Sequence, residues 1–174
     1  MYFNEDIILE IRLNELDKYV NNFVIIENNF THSGEEKGFN FDLNKFHKFK
    51  DKIIYLKIFE KPSGLIDFYK SDNRDQVKEK QILNALVIEN YQRNFIKKGI
   101  EKFSNDDLIL ISDLDEIPDL SKIKPEDTKN SILLFKQYFF HYKLNLYLKD
   151  FYFFGTKGCL KKNLISPQWL RNIK

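Results

Sequence analysis

The chain has 174 residues, of which 43% are hydrophobic and 16% aromatic, enough to bury one core. Its 28 basic and 26 acidic residues give a net charge of +2 without a separate basic block, so the charge does not point to nucleic acid as a partner. A lone cysteine, Cys159, excludes an internal disulfide. No apolar run approaches the roughly 20 residues of a membrane span, and the acidic N-terminus is unlike a signal peptide. We therefore expect one cytoplasmic domain over residues 1–174, with no membrane span.

Helix and strand patterns alternate along the first half of the chain. Apolar residues at helical spacing predict an amphipathic helix from Ile8 to Tyr19. Two β-branched runs, FVIIENN at 23–29 and KIIYLKIFE at 52–60, predict buried strands separated by a loop. The proline-free stretch from Lys78 to Phe103 predicts a long helix.

The long predicted helix has a buried face bordered by charge. Ile88 and Gln92 share its apolar arc, and Glu89 and Arg93 lie on the flank at the i, i+4 spacing of an ion pair. Further strands are predicted at 108–112 (LILIS) and within 131–142 (SILLFKQYFFHY). The aromatic residues of 138–154 either bind an acceptor or pack as core and a subunit interface, and we expect core. This order favours an α/β fold with a mostly parallel, twisted sheet flanked by helices.

The most informative segment is SDLDEIP at 112–118, directly after LILIS. It places three carboxylates, Asp113, Asp115 and Glu116, within four positions. At the carboxyl end of a central strand they would lie where open α/β sheets bind ligands. Such close acids raise one another's pKa unless a positive charge compensates them, and a divalent cation is the obvious candidate. Hard oxygen ligands suit Mg²⁺ or Mn²⁺ completed by substrate phosphates, so the segment predicts a metal–diphosphate site.

Two other interpretations of this segment stay open. Acids after a strand often cap a following helix, and a D-x-D triplet occurs by chance. A hydrophobic strand followed by D-x-D also resembles the loop of haloacid-dehalogenase-like phosphatases, in which Asp113 would be the nucleophile. That family's loop normally lies near the start of its domain and continues with Thr or Val after one more residue, whereas here Glu116 and Ile117 follow Asp115.

Four segments in order, LEIRLNELDKYVNNFVIIENNFTHSG, ENYQRNFIKKGI, DDLILISDLDEIP and ISPQWLR, resemble glycosyltransferase family 17, the family of the bisecting N-acetylglucosaminyltransferase. The resemblance implies a GT-A type fold and metal-dependent, inverting transfer of N-acetylglucosamine from a UDP-sugar donor to a glycan hydroxyl. Family members continue beyond this motif, so we expect that the chain lacks a C-terminal segment. A catalytically incomplete nucleotide-sugar or glycan-binding module is therefore the alternative function.

The resemblance also assigns roles to single residues. Asp115 would bind Mn²⁺ or Mg²⁺, Asp113 would reach the metal or the donor ribose, and Glu116 would support both. Asp150 is a candidate for the catalytic base that inversion requires. The predicted donor-binding residues are Glu27, Asn28, Thr31, Glu89, Arg93 and Asp113, the first three for uridine and the Glu89–Arg93 pair for the phosphates or the acidic loop.

Overall fold

The computed structural model describes residues 2–129, 131–142 and 145–174. Its main elements in chain order are α1 (Asp6–Leu16), β1 (Phe23–Asn28), β2 (Ile53–Ile58), α2 (Arg74–Asn94), α3 (Ile96–Gly99), β3 (Leu108–Ile111), β4 (Leu133–Phe140), β5 (Tyr147–Leu160) and α4 (Pro167–Asn172). Short 3-10 helices span Leu43–Phe49, Leu120–Lys122, Pro125–Thr128 and Lys161–Asn163. No helix in these described ranges is both long and apolar enough to cross a bilayer.

The chain forms two compact units. The first unit combines the residues up to Asn4 with Asn22–Glu101, and the second combines Glu5–Asn21 with Lys102–Lys174. The backbone therefore starts in the first unit, passes into the second over Glu5–Asn21, returns to the first over Asn22–Glu101 and ends in the second. The single domain expected over 1–174 stays a prediction.

Two parallel strands form the sheet of the first unit. β1 and β2 pair in register from Phe23 opposite Ile53 to Asn28 opposite Ile58, as expected for two buried β-branched runs. Both strands were predicted, and both are confirmed. Their carboxyl ends consequently lie side by side, with Asn28 at the end of β1.

A capping box decides where α2 begins. The Asn73 side chain accepts hydrogen bonds from the backbone of Asp75 and Gln76, and the Gln76 side chain accepts one from Asn73 N. The helix therefore starts before the predicted Lys78, and it ends at Asn94, well before the predicted end. A Cβ on Gly99 would lie 2.5 Å from a Val24 methyl group, so only glycine lets α3 approach β1 this closely.

The core of the first unit lies between its sheet and α2. Ile26, Phe30, Ile58 and Ile88 are buried together, which confirms the predicted buried face of the long helix. The partly buried residues packed around them are Val24, Leu56, Leu65, Tyr91, Phe95 and Ile96. Apolar burial of this kind fixes the helix on the two strands and places its C-terminal turns near the end of β1.

The second unit contains a three-stranded sheet in the order β3-β5-β4, and both pairings are antiparallel. The α/β class is confirmed, but the expected position of LILIS inside a mostly parallel sheet is wrong: β3 is an edge strand. The physical reason is β5, a 14-residue strand that the sequence analysis did not identify. It turns back beside β4 and continues antiparallel along β3. The predicted first helix is confirmed as α1, with Leu9, Leu13 and Leu16 buried.

The aromatic residues of β4 and β5 are less buried than expected. Successive residues of β4 alternate between half-buried and exposed, and the Tyr138 side chain is 68% exposed. Opposite it on β5, Tyr152 is 45% exposed. The expectation that these aromatics form core is therefore wrong for one face of the strand pair. A two-stranded extension has one face without a covering layer in the described part of the chain.

Candidate active site

The acidic segment forms a tight turn, here called the acidic turn, from Asp113 to Glu116. The backbone N–H of Glu116 donates to the Asp113 carbonyl across 3.2 Å, which closes the turn. In return, the Glu116 side chain accepts a hydrogen bond from Asp113 N across 2.9 Å. The two ends therefore hold each other, and Asp115 occupies the third position of the turn.

The three carboxylates of the acidic turn differ in accessibility. Glu116 is buried, at 8% exposure, and Asp113 is intermediate. Asp115 is exposed, and its carboxylate makes no hydrogen bond or ion pair with any residue that the structure describes. Asp115 is thus the acid of the turn that an external ligand reaches first.

Arg171, on α4, bridges the two inner acids. One nitrogen of its guanidinium lies 2.8 Å from Asp113 Oδ2, and the other donates to Glu116 Oε2 across 2.8 Å. Further hydrogen bonds run to Glu116 Oε1 and the carbonyl of Gly155. Burial lowers the pKa of Arg171, but the hydrogen bond and charge of Glu116, with the charge of Asp113, outweigh it and leave the pKa above its ordinary value. Arg171 is therefore a permanent cation at the turn.

Arg12, on α1, holds the backbone of the same turn. Its guanidinium donates to the carbonyl of Glu116 across 2.7 Å, to that of Asp113 across 3.2 Å and to Ser112 Oγ across 2.5 Å. Burial lowers the pKa of Arg12 to about 10, although the nearby carboxylates, first of all Glu116, oppose that decrease. Arg12 consequently stays protonated at neutral pH and adds a second positive charge.

β5 supplies the surroundings of Glu116. A Cβ on Gly155 would lie 2.7 Å from the Glu116 carboxyl carbon, so glycine leaves the room that this carboxylate occupies. The fully buried Thr156 hydroxyl donates to the Glu116 carbonyl across 3.1 Å. Lys157 donates to the carbonyls of Arg171, across 2.5 Å, and of Ile173. Burial, then the charge of Arg171, lowers the pKa of Lys157.

The carboxylates of the acidic turn can hold a cation only if water and substrate phosphates supply its other ligands. Among the described residues, no group of three or more His, Cys, Asp or Glu side chains is arranged to hold a metal ion. Mg²⁺ in phosphate-transferring sites commonly takes one or two protein carboxylates and completes its shell with water and phosphate oxygens. Asp115 offers such a carboxylate, and Asp113 offers a second that also faces Arg171. The metal role of these two residues stays a prediction.

Glu27, predicted to contact uridine, is a buried anchor of the first unit. Its carboxylate accepts hydrogen bonds from Asn40 N across 2.7 Å, Phe41 N across 3.0 Å, Tyr55 Oη across 2.7 Å and Lys37 Nζ across 3.0 Å. Its side chain is 0% exposed. The carboxylate therefore ties the loop after β1 to the two strands, and its contact with uridine stays a prediction.

Asn28, also predicted to bind uridine, meets α2. Its Oδ1 accepts a hydrogen bond from Gln92 Nε2 across 3.1 Å, and both residues are buried. Asn28 Nδ2 and Gln92 Oε1 have no hydrogen-bond partner among the residues that the structure describes. Both atoms are buried, so one donor and one acceptor at the carboxyl end of β1 stay unsatisfied among these residues.

The other predicted donor-binding residues of the first unit have internal contacts as well. Arg93 is 4% exposed and lies 2.5 Å from Glu89 Oε1, the i, i+4 pair that the spacing predicts. The Thr31 hydroxyl bonds Ser33 Oγ across 2.7 Å and accepts from Glu35 N across 3.2 Å. Their roles toward a donor stay predictions.

Asp150, the predicted base, is exposed on β5. Its φ of 62° is in the left-handed region, next to an irregularity in the pairing of β4 with β5 between Tyr138 and Phe140. Aspartate tolerates this backbone conformation better than most residues. Its position accommodates the irregularity, and its role as a base stays a prediction.

The sequence profile of glycosyltransferase family 17 matches residues 1–159. The chain belongs to glycosyltransferase family 17. The match covers the helix with Arg12, the strand with Glu27, the YQRN segment and the acidic turn. No curated protein and no solved structure matches the chain. As a family 17 glycosyltransferase, the protein uses a sugar donor and an acceptor, and the phosphatase interpretation of the D-x-D segment is set aside.

Sequence reasoning missed the two arginines that organise this glycosyltransferase's acidic turn. Arg12 borders the apolar stripe of α1 next to Leu9 and Leu16, and Arg171 ends the ISPQWLR segment. A signal was present, because clustered carboxylates require positive charge, and α1 and the ISPQWLR segment each carry a single basic residue. What sequence could not supply was which of the 28 basic residues lie near the turn.

Proposed function

We propose that the protein is a metal-dependent, inverting glycosyltransferase of the GT-A type that transfers N-acetylglucosamine from UDP-N-acetylglucosamine to a glycan hydroxyl. One observation carries the proposal: among the described residues, the Asp115 carboxylate has no hydrogen bond or ion pair, whereas Arg171 holds the other two acids of the turn. Rigidly placed, exposed carboxylates at the end of a strand suit a cation that is shared with a diphosphate.

Asp115 is the proposed main metal ligand, and Asp113 is the second. When bound, Mn²⁺ or Mg²⁺ would offset the negative charge that grows on the departing UDP. The protein's own contribution is preorganisation, because Arg12 and Arg171 fix the turn before the substrate arrives. Little rearrangement is then required during the transfer.

Asn28 and Gln92 are the proposed contacts for the uracil of the donor. Asn28 Nδ2 and Gln92 Oε1 are a buried donor and acceptor without partners among the described residues at the end of β1, and a uracil edge that reached them would satisfy both. Inversion requires a carboxylate that removes the proton of the acceptor hydroxyl, and Asp150 remains the proposed residue.

The first experiment is calorimetric titration of UDP-N-acetylglucosamine into the protein with Mn²⁺ and with EDTA. We expect Mn²⁺-dependent binding that weakens at least about tenfold in Asp115→Ala, equivalent to about 1.4 kcal/mol. Asp106→Ala is the control, because this exposed acid lies in the same unit and pairs with Lys162. Equal affinities of wild type and Asp115→Ala would contradict the proposed metal role.

Turnover separates transfer from binding alone. Mn²⁺-dependent release of UDP that is lost in Asp115→Ala supports the transferase. Donor binding without any UDP release, with a panel of glycan acceptors present, would favour a nucleotide-sugar-binding module.

A further inference from the structure

The two inner acids of the acidic turn have their compensating charge within the protein. Glu116 and Asp113 both face Arg171, and Arg12 adds its charge at the backbone of the turn. Three acids within four positions would otherwise repel one another strongly. Arginine thus already supplies, for Asp113 and Glu116, the positive charge that the sequence predicts from a divalent cation.

We propose that Arg171 is the resident counter-cation of the acidic turn and the positioning residue for Asp113, so that the free protein holds this turn without a divalent ion. The inference rests on the proposed function only where it takes Asp115 as the ligand that the bound cation uses. The stability of the turn itself depends on the ion pairs of Arg171, whatever sugar is transferred.

The geometry requires an arginine at this position. The planar guanidinium reaches Asp113 from one nitrogen and Glu116 from both, and it also donates to the Gly155 carbonyl. The ammonium group of a lysine carries the same charge but not this fork, so Arg171→Lys would keep the charge and lose part of the geometry.

Arg171 is itself held in place. Ser166 caps α4 through a hydrogen bond from Trp169 N across 3.0 Å, and Lys157 binds the carbonyls at the other end of the helix, including that of Arg171. The Arg171 side chain is 13% exposed, and the absence of a side chain at Gly155 leaves room for the paired Glu116 carboxylate. Because Arg171 is fixed both at its backbone and at its guanidinium, it leaves the Asp113 side chain little conformational freedom.

Removing the Arg171 side chain should make the stability of the protein depend on a bound divalent ion. Without the Arg171 guanidinium, Glu116 and Asp113 would lose their cation while lying close to Asp115. A divalent ion would then relieve the repulsion among these carboxylates. A ligand that binds only the folded protein raises its melting temperature, so added Mn²⁺ should stabilise such a variant more than the wild type.

The test is thermal unfolding of the full chain, followed by circular dichroism, in EDTA and in Mn²⁺ without nucleotide. We expect wild type to change little between the two buffers. Arg171→Gln should melt several degrees below wild type in EDTA and regain much of that loss in Mn²⁺. The melting temperature of Arg171→Lys in EDTA should lie between those of wild type and Arg171→Gln. The matched control is Lys162→Gln, which removes a cation from the exposed pair with Asp106 in the same unit.

Electron paramagnetic resonance of Mn²⁺ gives a second readout. We expect Arg171→Gln to bind Mn²⁺ about tenfold more tightly than wild type, because it exposes uncompensated carboxylates. A residue that served only packing would lower stability without raising affinity for the cation.

Three outcomes would overturn the inference: Arg171→Gln as stable as wild type in EDTA, an equal Mn²⁺ shift in both proteins, or an Arg171→Gln chain that is unfolded in both buffers. An Arg171→Gln chain that folds only with Mn²⁺ would support it. Because no nucleotide is present, these outcomes are independent of whether wild type binds UDP-N-acetylglucosamine.

Discussion

The guanidinium of Arg12 donates to the backbone carbonyl of Glu116 across 2.7 Å and so connects α1 to the acidic turn 104 positions later in the chain. Hydrogen bonds from a charged donor contribute about 1.5–3 kcal/mol each. We therefore expect Arg12→Gln to lower the free energy of unfolding by about 2 kcal/mol and to weaken donor binding, because the turn loses its backbone support. Urea denaturation and calorimetry measure the two effects.

Two variants serve as comparisons for Arg12. Arg12→Lys should recover less than half of the loss, because an ammonium group cannot reach several carbonyls from one plane. Glu10→Gln, on the exposed side of the same helix, should leave both quantities unchanged. Wild-type stability in Arg12→Gln would show that the turn does not depend on this contact.

Glu27 should contribute to the free energy of unfolding, whatever other role it has. Glu27→Gln replaces an oxygen that accepts hydrogen bonds with an amino group that faces donors such as Tyr55 Oη or Asn40 N. Since removing one partner of a buried ion pair costs about 3–5 kcal/mol, we expect a loss of about 3 kcal/mol in urea denaturation. Glu35→Gln, an exposed acid in the following loop, is the control. A fall in nucleotide affinity at unchanged stability would instead indicate a pure ligand contact.

The raised pKa of Tyr55 predicts that the protein loses stability at alkaline pH. Burial, then the hydrogen bond to Glu27, raises the pKa of the Tyr55 hydroxyl above its ordinary value. The protonated phenol is favoured in the folded state, so its contribution is complete below the unfolded pKa of about 10 and is lost as pH rises beyond it. Unfolding measured from about pH 8 to about pH 11 should show a steeper decline for wild type than for Tyr55→Phe.

The control for Tyr55 is Tyr138→Phe, because the Tyr138 side chain is 68% exposed. This variant should follow the wild-type pH dependence. Parallel curves for wild type and Tyr55→Phe would contradict the assignment of the alkaline loss to Tyr55.

The buried amides of Asn28 and Gln92 should be coupled. Gln92→Leu leaves the Asn28 amide without its partner and should cost about 1–3 kcal/mol, and Asn28→Leu should do the same to Gln92. Replacing both removes the polar groups together, so the double variant should lose less than the sum of the single losses, by about 1 kcal/mol. A double-mutant cycle in urea measures this coupling.

The same double variant tests donor recognition. If the two amides read a uracil edge, the folded double variant should bind UDP at least about tenfold more weakly than wild type. Unchanged UDP affinity in a folded double variant would assign the pair a purely structural role.

The strands and helices formed by continuous patterns were predictable from sequence, because their signals are local. The stripe of Leu9, Leu13 and Leu16 predicted α1, and the β-branched runs predicted β1 and β2. The i, i+4 spacing likewise predicted the Glu89–Arg93 pair. The predicted start of α2 was too late because the capping box at Asn73 lies before Lys78. The strand β5 was missed because its polar and aromatic residues follow no simple alternation.

Sequence by itself determined the family, the acidic segment with Asp113, Asp115 and Glu116, and the need of these acids for positive charge. Only the tertiary structure decided that Arg12 and Arg171 supply that charge and that β3 lies at the edge of an antiparallel sheet. The physical reason is separation along the chain: periodicity reports local conformation, whereas an ion pair between residues 113 and 171 forms only after β5 and α4 fold back onto the turn.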